Sequence, residues 1–233
     1  MRNRFENTDS LAIMKSLLDK SIDLVLTDPP YIISHKTGFK SVKEGVKRFA
    51  VDTEFGDWDK EENFSMKDLE DSIKEYYRVL KDGGTAIIFC DLWKITQVKE
   101  ILERHRFKQI RFIDWIKTNP VPLNSSRNYL TNSREVALSA VRKSKPTFNS
   151  KYHNGLYRYP ICHDAGRFHS TQKPIKFMED LIAIHSNDGE MVLDTFAGSA
   201  TTLVAAKNMG RNFIGCEPDK DYFDKATRRI NEA

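Results

Sequence analysis

The chemically most distinctive stretch of the sequence is Asp28-Pro-Pro-Tyr31, which directly follows an apolar run at residues 22–27. Two consecutive prolines remove two backbone N–H donors but leave both carbonyl groups free to accept hydrogen bonds. The segment is therefore rigid, rich in acceptors and tipped with an aromatic ring. Such a cluster suits an amino group on a planar ring: the acceptors take its N–H bonds, and Tyr31 offers a face for stacking.

A second cluster lies in the last fifth of the chain. A predicted strand ends at Asp194, a loop of small residues containing Gly198 and Ser199 follows, and a helix begins near Thr201. The next predicted strand ends in Glu217, close to the ~20-residue separation at which an acid reaches ribose hydroxyl groups. Small residues let the backbone approach a ligand, and the helix N-terminus favours its anionic end. The loop is not GxGxxG, so the pattern indicates a nucleoside site rather than a dinucleotide site.

A third motif, Thr171-Gln-Lys-Pro174, stands just before a predicted helix. It offers a hydroxyl, an amide and an ammonium group within one turn. Alone it is a plain helix start, but near the Gly198 loop it could hold a carboxylate.

A parallel sheet is needed to bring these motifs together. Continuous apolar runs at 22–28, 85–90 and 190–194 are typical of parallel strands that are covered on both faces. Their alternation with helical patterns predicts a doubly wound, mostly parallel α/β sheet. Residues 107–117 and 134–142 alternate instead, which predicts an antiparallel hairpin at one edge. Ligands bind such sheets at the carboxyl ends of the strands, where the motifs stand.

The bulk composition is that of one large α/β domain. The chain has 233 residues, of which 39% are hydrophobic and 30% charged. Cys90, Cys162 and Cys216 are too few and too far apart for a disulfide framework or a tetrahedral metal site, so no metal is predicted. Cys90 and Cys216 are predicted to be small core residues. No apolar run has the length of a membrane span, and the N-terminal residues lack a signal peptide, so we expect a cytoplasmic protein.

The basic residues are unevenly distributed, with a net charge of +4. One group lies in a polar, non-periodic segment at about 32–60, which is predicted to be a flap, and another lies around residues 142–167. Basic clusters neutralise phosphates, although on charge alone ordinary solvated surface is the better explanation. The residues predicted to contact DNA phosphates are Lys36, Lys40, Arg142, Lys143 and Lys151.

Together these motifs resemble the permuted, β-class amino-group DNA methyltransferases, most of all the N6-adenine enzymes of restriction–modification systems. The order is diagnostic, because the catalytic motif comes first and the cofactor loop last. The likeness covers nearly the whole chain apart from parts of 32–60 and 143–168. The matching segments are Asp28-Pro-Pro-Tyr31, Thr171-Gln-Lys-Pro174, Asp194-Thr-Phe-Ala-Gly-Ser-Ala-Thr-Thr202 and Phe213-Ile-Gly-Cys-Glu217.

The resemblance implies one catalytic domain over residues 1–233, with a Rossmann-like, seven-stranded class I methyltransferase fold and S-adenosylmethionine as cofactor. The implied catalytic residues are Asp28, Pro29, Pro30 and Tyr31. The implied cofactor-binding residues are Asp9 near the adenine, Glu217 at the ribose hydroxyls, Thr171 and Lys173 near the methionine portion, and Asp28, Asp194, Phe196, Gly198 and Ser199 along the pocket. A segment at about 143–168 occupies the target-recognition position. The implied partners are double-stranded DNA, a cognate restriction endonuclease and a second copy of the chain.

The choice of target base depends on residue 28. In the family, Asp before Pro-Pro-Tyr usually accompanies adenine N6 and Ser usually accompanies cytosine N4; the correlation is imperfect, so cytosine N4 is the closest alternative. A methyltransferase acting on RNA or protein is disfavoured, because those relatives favour Asn there and an unpermuted order. An inactive DNA-binding or cofactor-binding relic is suggested by Thr195 and Ala200, where the family usually has Pro and Gly. Ala200 would strain the loop if its φ were positive.

Overall fold

One mixed, eight-stranded sheet organises the part of the chain that the computed structural model describes, which is residues 3–31, 64–121, 130–162, 168 and 172–233. The strand order is β1-β8-β7-β2-β3-β5-β4-β6. The strands are β1 (Arg4–Glu6), β2 (Ile22–Thr27), β3 (Leu80–Cys90), β4 (Phe107–Lys117), β5 (Arg134–Arg142), β6 (Leu156–Tyr159), β7 (Met191–Asp194) and β8 (Asn212–Cys216). The helices are α1 (Ser10–Lys15), α2 (Met66–Val79), α3 (Ile95–Arg104), α4 (Ile175–His185), α5 (Thr201–Asn208) and α6 (Lys220–Glu232).

The predicted doubly wound α/β fold is confirmed, with one addition. Strand β5 runs antiparallel to both β3 and β4, and the other strand pairs are parallel. The addition is β6, which pairs with β4, so that the sheet has eight strands rather than seven and the antiparallel pair lies one strand in from the edge. Four residues are too few for a periodic signal, which is why the sequence pattern did not reveal β6.

The core lies on both faces of the sheet, and the central strand β2 is buried at every position except the half-buried Asp23. On β2, Ile22 and Val25 face the layer of α1, α2 and α3, whereas Leu24 and Leu26 face the layer of α4, α5 and α6. This two-sided burial explains the continuous apolar run in the sequence. Cys90 and Cys216 are buried, as predicted. Among the described residues, no helix is long and apolar enough to cross a membrane.

The pattern of Lys81-Asp-Gly-Gly84 predicts a helix stop and a turn, but the structure has a strand there. Helix α2 does end at Val79, but β3 begins at Leu80, and its register with β2 shifts between Ile22 and Leu24. Gly83 has φ +88°, and a Cβ there would lie 2.6 Å from the carbonyl oxygen of Lys145. The glycine pair therefore accommodates an irregularity inside a strand rather than ending an element.

Candidate active site

The first and last motifs meet because their strands are neighbours. Strands β2 and β7 pair in parallel, with Leu24 opposite Val192 and Val25 opposite Leu193. The segments that follow them therefore leave the sheet at the same edge and border one cleft of about 1300 Å³. The predicted site residues that line it are Asp9, Asp28–Tyr31, Lys173, Asp194, Phe196, Gly198, Ser199 and Glu217.

Asp194 joins the two strand ends. Its Oδ1 accepts hydrogen bonds from the Thr27 hydroxyl at 2.8 Å and from the backbone N–H of Phe196 at 3.1 Å. Burial raises the pKa of Asp194 to about 6. This carboxylate thus shapes the start of the loop beside the catalytic motif, and its contacts are to the protein itself.

Glu217 holds the Gly198 loop from the end of β8. Its Oε2 accepts the backbone N–H of Gly198 at 2.9 Å, and its Oε1 accepts that of Asp219 at 3.0 Å. Burial raises the pKa of Glu217. Each oxygen keeps further acceptor capacity. The carboxylate at the cleft wall can therefore receive two hydroxyl groups without releasing the loop.

Asp9 also lines the cleft, at the start of α1, and it follows β1, the strand that pairs with β8. Its Oδ1 caps the helix by accepting the backbone N–H of Ala12 at 2.8 Å. The motif Asp9-Ser10-Leu11 therefore fixes a helix N-terminus at the cleft wall, as a nucleoside site requires.

The two departures from the family pattern have structural consequences. The Thr195 hydroxyl makes a 2.6 Å hydrogen bond with the hydroxyl of buried Tyr76, a partner that proline could not supply. Ala200 has φ +58° and ψ +30° immediately before α5, so it occupies the left-handed region that favours glycine. The threonine is accommodated, whereas the alanine carries backbone strain.

We expect Ala200→Gly to leave the stability of the protein unchanged or to raise it. A left-handed conformation costs an L-residue roughly 1–2 kcal/mol, which offsets the entropy cost of glycine and the loss of one buried methyl group. Ala205→Gly, inside α5, is the matched control and should cost at least about 1 kcal/mol, because nothing is relieved there. Chemical denaturation measures both variants; equal losses would show that Ala200 is unstrained.

A chain of four charged side chains forms the floor of the cleft. Lys173 is 5% exposed and pairs with the carboxylate of Asp28 and, at 2.9 Å, with Oε2 of Glu135. Lys117 pairs with Oε1 of Glu135 at 2.8 Å, and the Tyr31 hydroxyl lies 3.4 Å from Oε2. Negative and positive groups therefore alternate from Asp28 to Lys117.

The pKa shifts of Asp28, Lys173 and Glu135 follow from their burial and their ion pairs. Burial raises the pKa of Asp28, and the charge of Lys173 opposes that rise. Burial would lower the pKa of Lys173, but the carboxylates of Asp28 and Glu135 together have the larger effect and raise this pKa. Burial would raise the pKa of Glu135, but the positive charges of Lys173 and Lys117 together have the larger effect and lower this pKa. Lys173 therefore carries a positive charge inside the protein.

The second carboxylate oxygen of Asp28 distinguishes this residue from the other three charged side chains on the cleft floor. Oδ1 is buried and accepts no hydrogen bond from the described residues, although the Tyr31 hydroxyl is close enough to influence the pKa of the carboxyl group. Buried acceptors are normally paired. An unpaired carboxylate oxygen at a cleft floor is a place for a ligand's N–H group.

Two of the four charged side chains on the cleft floor, Glu135 and Lys117, were not among the predicted site residues. Glu135 opposes Trp115 across the β4–β5 pair, so it sits at the end of β5 that reaches the carboxyl edge of β3. The signal was available, because a carboxylate at the start of an otherwise buried strand needs a partner. The partner Lys173 lies in a distant segment, which the pattern within the strand could not reveal.

The described basic residues that were predicted to contact DNA lie away from the cleft. Arg142 is 6% exposed, donates to the Tyr77 carbonyl at 2.6 Å and pairs with Asp82, so it has no free face for a phosphate. Because β5 is antiparallel, Arg142 and Lys143 lie at the edge of the sheet opposite the cleft. Lys151 follows Asn149, which binds carbonyl groups at the C-terminal end of α4 on that same side. Lys36, Lys40 and Thr171 lie outside the described residues.

The predicted target-recognition segment is partly built into the sheet. Its strand β6 buries Tyr157, and the rings of Tyr157 and Tyr159 pack on Phe177 at 5.2 and 5.7 Å. Tyr157 belongs to the core, and the half-buried Tyr159 packs against it. Because β6 is parallel to β4, the segment reaches the cleft edge only at Tyr159 and beyond, and residues 163–167 lie outside the described part.

The cleft fits S-adenosylmethionine. The carboxylate of Glu217 can bind a ribose, Gly198 and Ser199 form a loop of small residues, and Asp28, whose Oδ1 accepts no hydrogen bond from the described residues, lines the same cleft. A doubly wound sheet with a rigid acceptor cluster and a nucleoside loop at adjoining strand ends defines a class I methyltransferase.

Comparison with known proteins identifies the family. The DNA methylase model (N6_N4_Mtase) matches residues 22–228. The type II methyltransferase M2.DpnII of Streptococcus pneumoniae is 34% identical, and the alignment covers 96% of this chain and 88% of that protein. The chain belongs to the DNA methylase family. The predictions of that family and of a DNA methyltransferase are confirmed.

Two solved structures add to this result. The M1.HpyAVI–SAM complex is 30% identical, with a TM-score of 0.71, and the match covers 98% of this chain and 99% of that one. Together with the family match, this complex confirms the prediction of S-adenosylmethionine as cofactor. The PvuII DNA methyltransferase, described as cytosine-N4-specific, has a TM-score of 0.74 at 16% identity, over 100% of this chain and 91% of that one. At that identity the likeness concerns the fold alone.

Proposed function

We propose that this DNA methyltransferase modifies the N6 amino group of adenine within short sites in duplex DNA. The observation that carries the proposal is that Oδ1 of Asp28 is buried without a hydrogen-bond partner in the part of the chain that the structure describes, while Asp28 lines the same cleft as the cofactor loop. An aspartate carboxylate at this position favours adenine over cytosine within the family that the sequence resembles. The type II relatives support a role in a restriction–modification system.

The proposed mechanism depends on two fixed acceptors. An adenine amino nitrogen is a poor nucleophile because its lone pair is delocalised into the ring. Asp28 and the Pro29 carbonyl each accept one N–H bond, which favours a pyramidal nitrogen and frees the lone pair. When bound, S-adenosylmethionine supplies an activated methyl group on a sulfonium centre. Asp28 also stabilises the positive charge that develops on the amine, which then loses a proton. The prolines set both acceptors beforehand.

Tyr31 provides the stacking face for a base rotated out of the duplex. Its ring lies beside the cleft floor, 5.7 Å from Nζ of Lys173. We expect Tyr31→Ala to weaken binding of the flipped base by about 1–3 kcal/mol, whereas Tyr31→Phe should retain most of this binding free energy. Binding and single-turnover transfer on DNA with a mismatched target base measure the effect; unchanged kinetics in the alanine variant would contradict stacking.

The rim of the cleft is suited to a nucleic acid. Trp93 and Leu130 are 88% and 95% exposed there, and the exposed side chain of Arg134 lines the same cleft. We propose that this rim and the end of the segment at about 143–168 face the DNA. The proposal also includes a cytoplasmic location, a cognate restriction endonuclease and a homodimer, the last because family members of this size often dimerise.

The target base can be identified directly. Unmethylated DNA is incubated with the protein and labelled cofactor, digested to nucleosides and analysed for N6-methyladenine and N4-methylcytosine. We expect label on adenine alone; label on cytosine would establish the alternative, which the fold of the PvuII enzyme accommodates. Sequencing of DNA from expressing cells would then give the recognition site.

The remaining alternatives make different predictions. An RNA or protein methyltransferase would transfer label preferentially to RNA or peptide in a competition with duplex DNA. An inactive relic would label none of them despite being folded. Calorimetry with the cofactor separates a relic that has lost cofactor binding from one that has lost only transfer.

A further inference from the structure

The pairing of Lys173 poses a question that the proposed mechanism leaves open. An ammonium group in the Thr171-Gln-Lys-Pro174 motif is expected to meet the methionine portion of the cofactor. In the structure its Nζ lies between two carboxylates, those of Asp28 and Glu135. It also lies 5.0 Å from the ring centroid of Phe89 and 5.7 Å from that of Tyr31.

The geometry points to a different role: we propose that Lys173 and Glu135 are positioning residues for Asp28. Lys173 binds Oδ2 of Asp28, and this contact leaves Oδ1 as the acceptor for the target amino group. Glu135 in turn holds Lys173, and Lys117 holds Glu135. This inference rests on the proposed function, since it concerns the carboxylate that receives the amine.

Rigid attachment follows from the elements that carry these groups. Glu135 is the second residue of β5, which lies between β3 and β4, and Lys173 directly precedes Pro174 and α4. The two side chains therefore come from different elements that meet at the strand end that bears Asp28. A carboxylate fixed by a bond to one oxygen presents the other oxygen in one direction, which reduces the motion that must be frozen in the transition state.

The charged groups around Asp28 should shift its pKa in opposite directions. The charged or titratable groups that influence it or are influenced by it are Tyr31, Cys90, Glu135, Lys173 and Asp194. Of these, Lys173 and the Tyr31 hydroxyl favour the ionised carboxylate, whereas Glu135 and burial favour the protonated form. Removing Lys173 should raise the pKa of Asp28, and neutralising Glu135 should lower it. If the two residues served the fold alone, the pH profile of kcat would not move in opposite directions in the two variants.

The test uses Lys173→Met and Glu135→Gln. The carboxyl carbon of Asp28, assigned with Asp28→Asn, is titrated by ¹³C NMR in the cofactor-free protein. We expect the Asp28 titration to move up by about 1–3 pH units in Lys173→Met and down in Glu135→Gln. The acid limb of the kcat profile on duplex DNA should move in the same two directions. Lys176→Met is the matched control: Lys176 is 81% exposed, pairs with Glu179 and should move neither curve.

Several outcomes would overturn the inference. The Asp28 titration could stay in place in both variants, or both could move it in the same direction. A uniform loss of activity at every pH, or loss of cofactor binding by calorimetry in Lys173→Met, would assign Lys173 to the fold or to the cofactor instead. Failure of the proposed function has another signature, namely wild-type protein that transfers no methyl group to DNA while the titrations still move as expected.

Discussion

Asp28→Asn is expected to reduce kcat by about 100- to 1000-fold at saturating cofactor and DNA, the range seen when one preorganised transition-state contact is lost. Asparagine keeps the shape and one acceptor oxygen but cannot stabilise the positive charge that develops on the amine. Asp28→Ala removes the acceptor as well and should abolish transfer. Single-turnover methylation of duplex DNA measures both variants.

Cofactor binding separates a catalytic role of Asp28 from a role in the fold. The cofactor loop is held by Asp194 and Glu217, neither of which bonds to Asp28 in the structure. Calorimetry should therefore give nearly the wild-type affinity for S-adenosylmethionine in both variants. Asp71→Asn is the control for loss of an acidic charge, because Asp71 pairs only with exposed Lys67 among the described residues. Parallel loss of binding and transfer would mean that Asp28 serves the cofactor or the fold.

Glu217→Gln is expected to weaken cofactor binding by about 10- to 100-fold, since hydrogen bonds to a charged group contribute about 1.5–3 kcal/mol each. The amide also turns an NH₂ group toward a backbone N–H, either that of Gly198 or that of Asp219, which both donate to the carboxylate now. The loop at the cleft wall should loosen as a result.

The Asp28 variants and the Glu217 variant should have opposite kinetic signatures. Because Glu217 acts on binding, its variant should raise the dissociation constant and KM for S-adenosylmethionine while kcat at saturation changes little. Glu103→Gln is the control, as Glu103 is half-exposed and pairs with Lys99 on α3. Unchanged affinity in Glu217→Gln would show that the ribose is held elsewhere.

The sequence by itself determined the strand ends. Continuous apolar runs predicted β2, β3 and β7, because a parallel strand buried on both faces has little freedom in composition. The residues just after β2 and β7 were then placed at one edge of the sheet by topology alone. Asp28, Gly198 and Glu217 could be assigned to one cleft because the carboxyl ends of parallel strands converge.

Local patterns also misled in places. The turn predicted at residues 81–84 is an irregular part of β3, because pairing with β2 joins Leu80 to Ile22 before it and Thr85 to Leu24 after it. Arg142 was grouped with exposed basic residues, yet the antiparallel direction of β5 places it at the far edge, where it pairs with Asp82. A charged residue in a sequence does not reveal the direction of its strand, and that direction decides which edge of the sheet the side chain reaches.

Only the tertiary structure decided which side chains hold Asp28. Lys173 lies 145 positions from Asp28 along the chain, and Glu135 comes from a strand whose own alternation predicted no more than a hairpin. A contact between distant segments depends on strand order and register, which are global properties of the packed sheet. The same holds for the unpartnered Oδ1: a sequence records that a carboxylate is present, and packing decides which of its oxygens is left for a ligand.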